Sequence, residues 1–149
     1  MMVKLSAKEK KKIFKYFKER FNMEKSIFDK LGFYKNTKGI ISVGPKSIIQ
    51  NTRVVSSGIS ILRMNGELKP TTAFFQTFGK YVKKNFIELN RENAIRYISG
   101  EDLFIEAKDI TRGYVMIMYK EFPLGCSSFK NNKLKNMIPK SRRIKLEYI

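Results

Sequence analysis

The sequence predicts an α+β protein of two modules: a small mixed domain of helices and strands over about residues 1–84, then a strand-rich module with one short helix over about 85–149. Three observations predict it. Apolar residues recur at helical period near the start, β-branched runs bounded by turn residues follow, and the last third is dominated by the near-continuous apolar run GYVMIMY at 113–119.

Ser6 followed by Glu9 has the capping-box spacing, and Ile13, Phe17 and Phe21, with Phe14 beside them, form one apolar stripe. A helix over about 7–21 follows. A second short helix is expected to end at Leu31, with Ile27, Phe28 and Leu31 on one face and Gly32 as its left-handed stop. Strands are expected at 39–43, broken by Gly44-Pro45, and from Val54 to Met64, closed by the hairpin signal Asn65-Gly66. After Pro70, TTAFFQTFG reads as a helix with Phe74, Phe75 and Phe78 inward, ending near Gly79. Asn85 to Leu89 is strand-like. Asn90 then caps a helix carrying Ala94, Ile95 and Ile98, which Gly100 terminates. The remainder reads as strands, with Lys120-Glu121 and Asn131-Asn132 as turns. There is no internal repeat and no low-complexity linker, and the module boundary falls near Lys83-Lys84.

Charge narrows the partner. Lys and Arg total 31 against 13 acids, a net +18 over 149 residues, more than solubility requires. Residues 1–87 carry +14, residues 88–109 carry −3 and residues 110–149 carry +7, so an acidic insert separates two basic regions. From Lys130 to Lys145 there are seven cations and no acid. Such a segment repels itself unless a polyanion is bound, which makes nucleic acid the first partner to consider. A hydrophobic content of 42% supports a folded core rather than a basic tail. One cysteine, no signal peptide and no apolar run near 18 residues lead to the expectation of a soluble, reducing, cytoplasmic setting. A membrane-surface role is disfavoured, because the cations are not arrayed opposite one long apolar helical face.

The chemistry available is limited. Histidine is absent, which removes His-based triads, His-metal sites and the usual neutral-pH base. No phosphate-cradling glycine motif is present, and Gly44-Pro45-Lys46-Ser47 reads as a turn. Cys126 is the one thiol and sits in an apolar strand, where it reads as a packing residue rather than a nucleophile. Glu101, Asp102, Glu106 and Asp109 read as solvated charges around a loop; a magnesium site would need two or three of them to converge. Lys8, Lys10, Lys11, Lys12, Lys15 and Lys18 lie mostly off the first helix's apolar stripe and face solvent, and their part in RNA binding is left open.

The segment from KNFIEL at 84–89 through RENAIRYISGEDL at 91–103 to RGYVMIMYKEFPLG and KLKNMIPKSRR resembles the C-terminal PUA-like domain of the Sun family of RNA cytosine-5 methyltransferases. The carrying motifs are the helix closing on Gly100-Glu101-Asp102, the strand GYVMIMY, Pro-Leu-Gly at 123–125 and Leu134-Lys135-Asn136 leading to Pro139-Lys140. The resemblance covers about the last 65 residues well, and RVVSSGISILRM and KPTTAFFQTFG look like parts of the preceding module. It implies a PUA-like mixed β pseudo-barrel and a non-catalytic RNA-binding role, as in stand-alone archaeal proteins of this kind and in two-domain ribosome-biogenesis factors.

The candidate RNA-binding residues are Lys130, Lys133, Lys135, Asn136, Lys140, Ser141, Arg142 and Arg143, with Arg112, Lys120, Lys83 and Lys84. No catalytic residue, metal or cofactor is expected. The expected partner is structured ribosomal or transfer RNA, bound by an adaptor in maturation, modification or ribosome biogenesis. The alternatives are a module tethering a separate RNA methyltransferase or ribosome-assembly factor, and a small metal-dependent RNA-processing enzyme using the 101–109 acids.

Overall fold

Residues 2–46 and 58–144 are described by a computed structural model. Helix α1 spans Ala7–Phe21 and starts as its capping box dictates: the Glu9 N–H donates to Ser6 Oγ and the Ser6 N–H returns to the Glu9 carboxylate. Ile13, Phe17 and Phe21 are fully buried. Asn22, at φ 53, closes the helix in the left-handed conformation.

The second short helix expected to end at Leu31 is only a 3₁₀ turn, Lys25–Phe28, and Leu31–Lys35 is strand β2. Gly32 has a different reason to be glycine: a Cβ there would lie 2.5 Å from the Tyr34 hydroxyl, which donates to the Pro45 carbonyl at 3.0 Å. Nor does Gly44-Pro45 break the next strand, because β3 runs Ile40–Pro45 and pairs through to its end, Leu31 opposite Pro45. Proline is accommodated at a strand terminus. With β1 at Val3–Lys4, β4 at Ile59–Arg63 and β5 at Lys69–Pro70, these form an antiparallel sheet in the order β1-β2-β3-β4-β5. Gly66, at φ 90, lies in the β4–β5 connection, as the Asn-Gly signal requires. Val54 to Ser57, part of the expected strand, and Ser47 lie outside the described residues.

Helix α2, Thr72–Phe78, is capped by Thr71 and buries Phe74, Phe75 and Phe78. They join an aromatic cluster with Phe17, Phe21 and Phe28, in which the Phe17 and Phe74 rings stack at 4.7 Å. Truncating one such ring to alanine removes about 3–5 kcal/mol.

The second sheet comprises β6 (Phe86–Leu89), β7 (Leu103–Phe104), β8 (Gly113–Tyr119), β9 (Phe122–Lys130) and β10 (Lys133–Lys135) in the order β6-β8-β9-β10-β7, with β6 parallel to β8 and the other pairs antiparallel. Helix α3, Arg91–Ile98, is capped by Asn90 and packs on one face. Its buried residues are Ala94 and Tyr97, while Ile95 and Ile98 are half-buried. Tyr97 can go inside because its hydroxyl meets Ser127 Oγ at 2.7 Å. Pro-Leu-Gly at 123–125 lies within β9 (Phe122–Lys130), where a register shift at Ile117/Met118 sets Pro123 opposite Met118. This α+β arrangement, with one helix on a mixed sheet, is the PUA-like one expected for the second module.

The two sheets share apolar packing, since Met116 of β8 and Cys126 of β9 belong to the core built around α1 and α2. Arg20 ties them further. Its Nε donates to the Tyr114 carbonyl at 2.7 Å and its Nη2 to the Thr111 carbonyl at 2.9 Å, while its own carbonyl accepts from Asn85 Nδ2 at 2.6 Å.

Candidate nucleic-acid interface

Side chains alternate along β9, so Cys126, Ser128 and Lys130 share one face and Ser127 and Phe129 the other. The Phe129 face packs with Val115, Ile117, Leu103 (on β7, Leu103–Phe104) and Leu134 (on β10, Lys133–Lys135) beneath α3. The Cys126 face is covered by the core around α1 and α2 only as far as Met116, Cys126 and Tyr114. Beyond that cover it continues into solvent. There it presents Ser128, Lys130, Lys133, Lys135 and Phe104 around a hollow of about 400 Å³, with Asn131 at its rim.

The turn fixes this arrangement. Asn131 and Asn132, at φ 52 and 60, make a two-residue connection that sets Lys130 directly opposite Lys133. Lys133 in turn stands opposite Phe104 of β7, and Lys135 opposite Ser128. Like charges directly opposed across strands are destabilising. Asp102 offsets part of this, with Oδ2 3.7 Å from Lys133 Nζ. Phe104 is 79% exposed although it sits in a strand, because its neighbour Leu103 takes the inward position.

Arg112 precedes β8 at the Lys130 end of the sheet, where Gly113 pairs with Phe129. It borders a second hollow of about 410 Å³ with Lys12, Lys15, Arg20 and Tyr114, and with Glu19, which pairs with Lys15 at 4.0 Å, and Glu67. Because Tyr114 pairs with Ser128, the two hollows adjoin on one face, and α1 brings Lys12 and Lys15 to the same rim. Lys83 and Lys84 are exposed at the start of β6, on the opposite edge of the sheet.

Other predicted residues lie apart. Lys120 sits in the β8–β9 turn over the Tyr119 ring, at the far end of β8 and roughly 25 Å from Arg112 by strand rise. Lys140, Ser141 and Arg142 form an exposed 3₁₀ turn beside the end of α3, which covers the opposite face. Arg143 is half-buried against Gly100; its Nε donates to the Ile138 carbonyl at 3.0 Å. Asn136 is not available to RNA. It is buried, its Nδ2 donates to the carbonyls of Tyr97 at 2.6 Å and Glu101 at 3.0 Å, and its Oδ1 accepts from the Ile138 N–H. Asn136 thus ties the end of α3 to the segment after β10 and serves the fold. Lys145 lies outside the described residues.

Two acids of the insert have partners in the fold. Glu101 pairs with Arg96 at 3.4 Å, and Asp102 accepts from the Asn136 N–H at 2.8 Å. Cys126 is buried, and burial pushes its thiol up to about 12, so it is protonated near neutrality. Phe104 and Arg20 are the residues that sequence reasoning missed. A Leu-Phe pair entering a strand signals one inward and one outward ring, but Arg20's partners lie 65 or more residues away and leave no local trace.

Residues 84–144 match the family described as the methyltransferase RsmF PUA domain. The chain is also similar to the ribosomal RNA small subunit methyltransferase F of Shewanella oneidensis, at 36% identity over 56 residues, 38% of this chain and 12% of that protein. The chain thus spans a small part of that relative, and no catalytic domain is matched. Over residues 84–144 this chain therefore resembles a PUA domain of the RsmF kind.

Proposed function

We propose that this protein binds structured RNA, ribosomal or transfer, without acting on it chemically, and serves as a cytoplasmic adaptor in RNA maturation, modification or ribosome assembly. Residues 1–84 and 85–149 act as two modules, of which the second supplies the RNA-binding face. One observation carries the reading: Lys130 and Lys133 are held directly opposed on an open sheet face, with Lys135 beside them. Phosphates would relieve that repulsion, and release of their counterions would supply most of the affinity. The match to a PUA domain of a ribosomal RNA methyltransferase supports the choice of RNA. Arg112, Lys12 and Lys15 extend the surface towards the joint between the modules.

A non-catalytic role is favoured by the buried, protonated Cys126, which lacks what a cytosine-attacking thiolate needs. In-cell crosslinking with sequencing of the bound RNA should recover ribosomal or transfer RNA fragments. Recovery of no enriched RNA would refute the reading. In vitro, Cys126→Ser should bind RNA like the wild type, and no covalent complex with a cytosine analogue should form through Cys126. Formation of that complex would make the protein an enzyme.

A further inference from the structure

We propose that Phe104 is a stacking platform for an unpaired RNA base, with Lys130, Lys133 and Lys135 holding the phosphates on either side of it. The inference rests on the RNA-binding reading and adds to it a ligand class, single-stranded or bulged RNA, and the residue that selects it.

Exposed apolar residues scattered singly are ordinary, so exposure alone decides nothing. Phe104 differs by its surroundings. Its strand pairs with β10, which fixes the ring's base beside Lys133, and the ring lines a hollow whose other walls are three lysines, Ser128 and Asn131. An apolar protein partner would bring no charge to match these lysines. A nucleotide brings both an aromatic face and an anion. The volume of about 400 Å³ falls within the range of clefts that take small organic ligands. A base in a continuous duplex has its faces covered by its neighbours, so the platform takes only a base that is free to unstack.

The chain contains no tryptophan, so Phe104→Trp introduces a single reporter at the platform. Titrating this variant with a single-stranded RNA oligonucleotide should quench its emission, and the blunt duplex of the same sequence should not. Phe104→Ala and Phe104→Leu should each weaken single-strand binding by roughly 5- to 100-fold, leucine failing because it lacks a π face. The slope of log K against log salt should stay unchanged in both, since no phosphate contact is removed. The platform is refuted if Phe104→Ala binds single strands as the wild type does, or if single-strand binding leaves the tryptophan emission unaltered. Substituting Lys130, Lys133 and Lys135 by Gln separates the two readings. Weakened binding there, with no effect at Phe104, refutes the platform alone; no effect in either set refutes the RNA-binding face as well.

Discussion

Glu9 closes the N-terminal capping box of α1 and also accepts from Lys35 Nζ on β2, so one carboxylate fastens a helix start to a strand. Lys35, and then the Ser6 N–H, hold its carboxyl well below the usual value near 4.5, at about 2. The folded-state pKa is depressed, so the stabilisation is present above about 4.5 and is lost as pH falls through about 2. Glu9→Gln keeps the cap geometry and removes the charge. Its melting temperature should fall below that of the wild type at neutral pH, and the gap should close between about pH 4.5 and 2, as followed by thermal melts. A gap that does not change with pH would show that the charge is irrelevant. Caps of this kind are legible in the chain because donor and acceptor lie three residues apart, as at Ser6 and Asn90. Arg20 and Asn136 are not, because the fold brings their partners from 94 and 39 residues away.

At the scale of elements, the end of α3 and the segment after β10 hold each other. Asn136 satisfies two carbonyls at that helix end, and the Ile144 N–H donates to the Ile98 carbonyl at 2.9 Å. Asn136→Ala abolishes three side-chain bonds in a buried site and should destabilise the protein by about 3 kcal/mol, read from urea unfolding. Loss of RNA affinity in this variant should track the unfolded fraction. A folded Asn136→Ala that binds RNA weakly would restore the residue to the interface. Element positions were largely readable, because α1, α2 and α3 carry local caps and the Asn131-Asn132 turn is a two-residue signal. The register of Gly44-Pro45 and Pro123 was not, since whether a proline breaks a strand depends on the partner strand and the bulge.

Across the whole molecule, the acid-free run from Lys130 onward is continuous in sequence but divided in space. Lys130, Lys133 and Lys135 lie on the open face, whereas Lys140 and Arg142 lie beside α3, on the other side of the sheet. After Lys135 the chain leaves the sheet and is held against the end of α3 by Asn136 and Ile144, which composition alone cannot reveal. The net charge of +18 attracts any polyanion, so affinity by itself does not locate a site. The most direct measurement is the salt dependence of RNA binding for three sets of Gln substitutions: Lys130/Lys133/Lys135, Lys140/Arg142, and Lys8/Lys10/Lys11. The face triple should flatten the slope of log K against log salt by about 2 to 3, at roughly 0.7 to 0.9 per phosphate contact, and the other two sets should change it by less than about 1. Equal flattening per charge in all three sets would mean diffuse attraction to a basic protein and would contradict an RNA-binding face on this sheet.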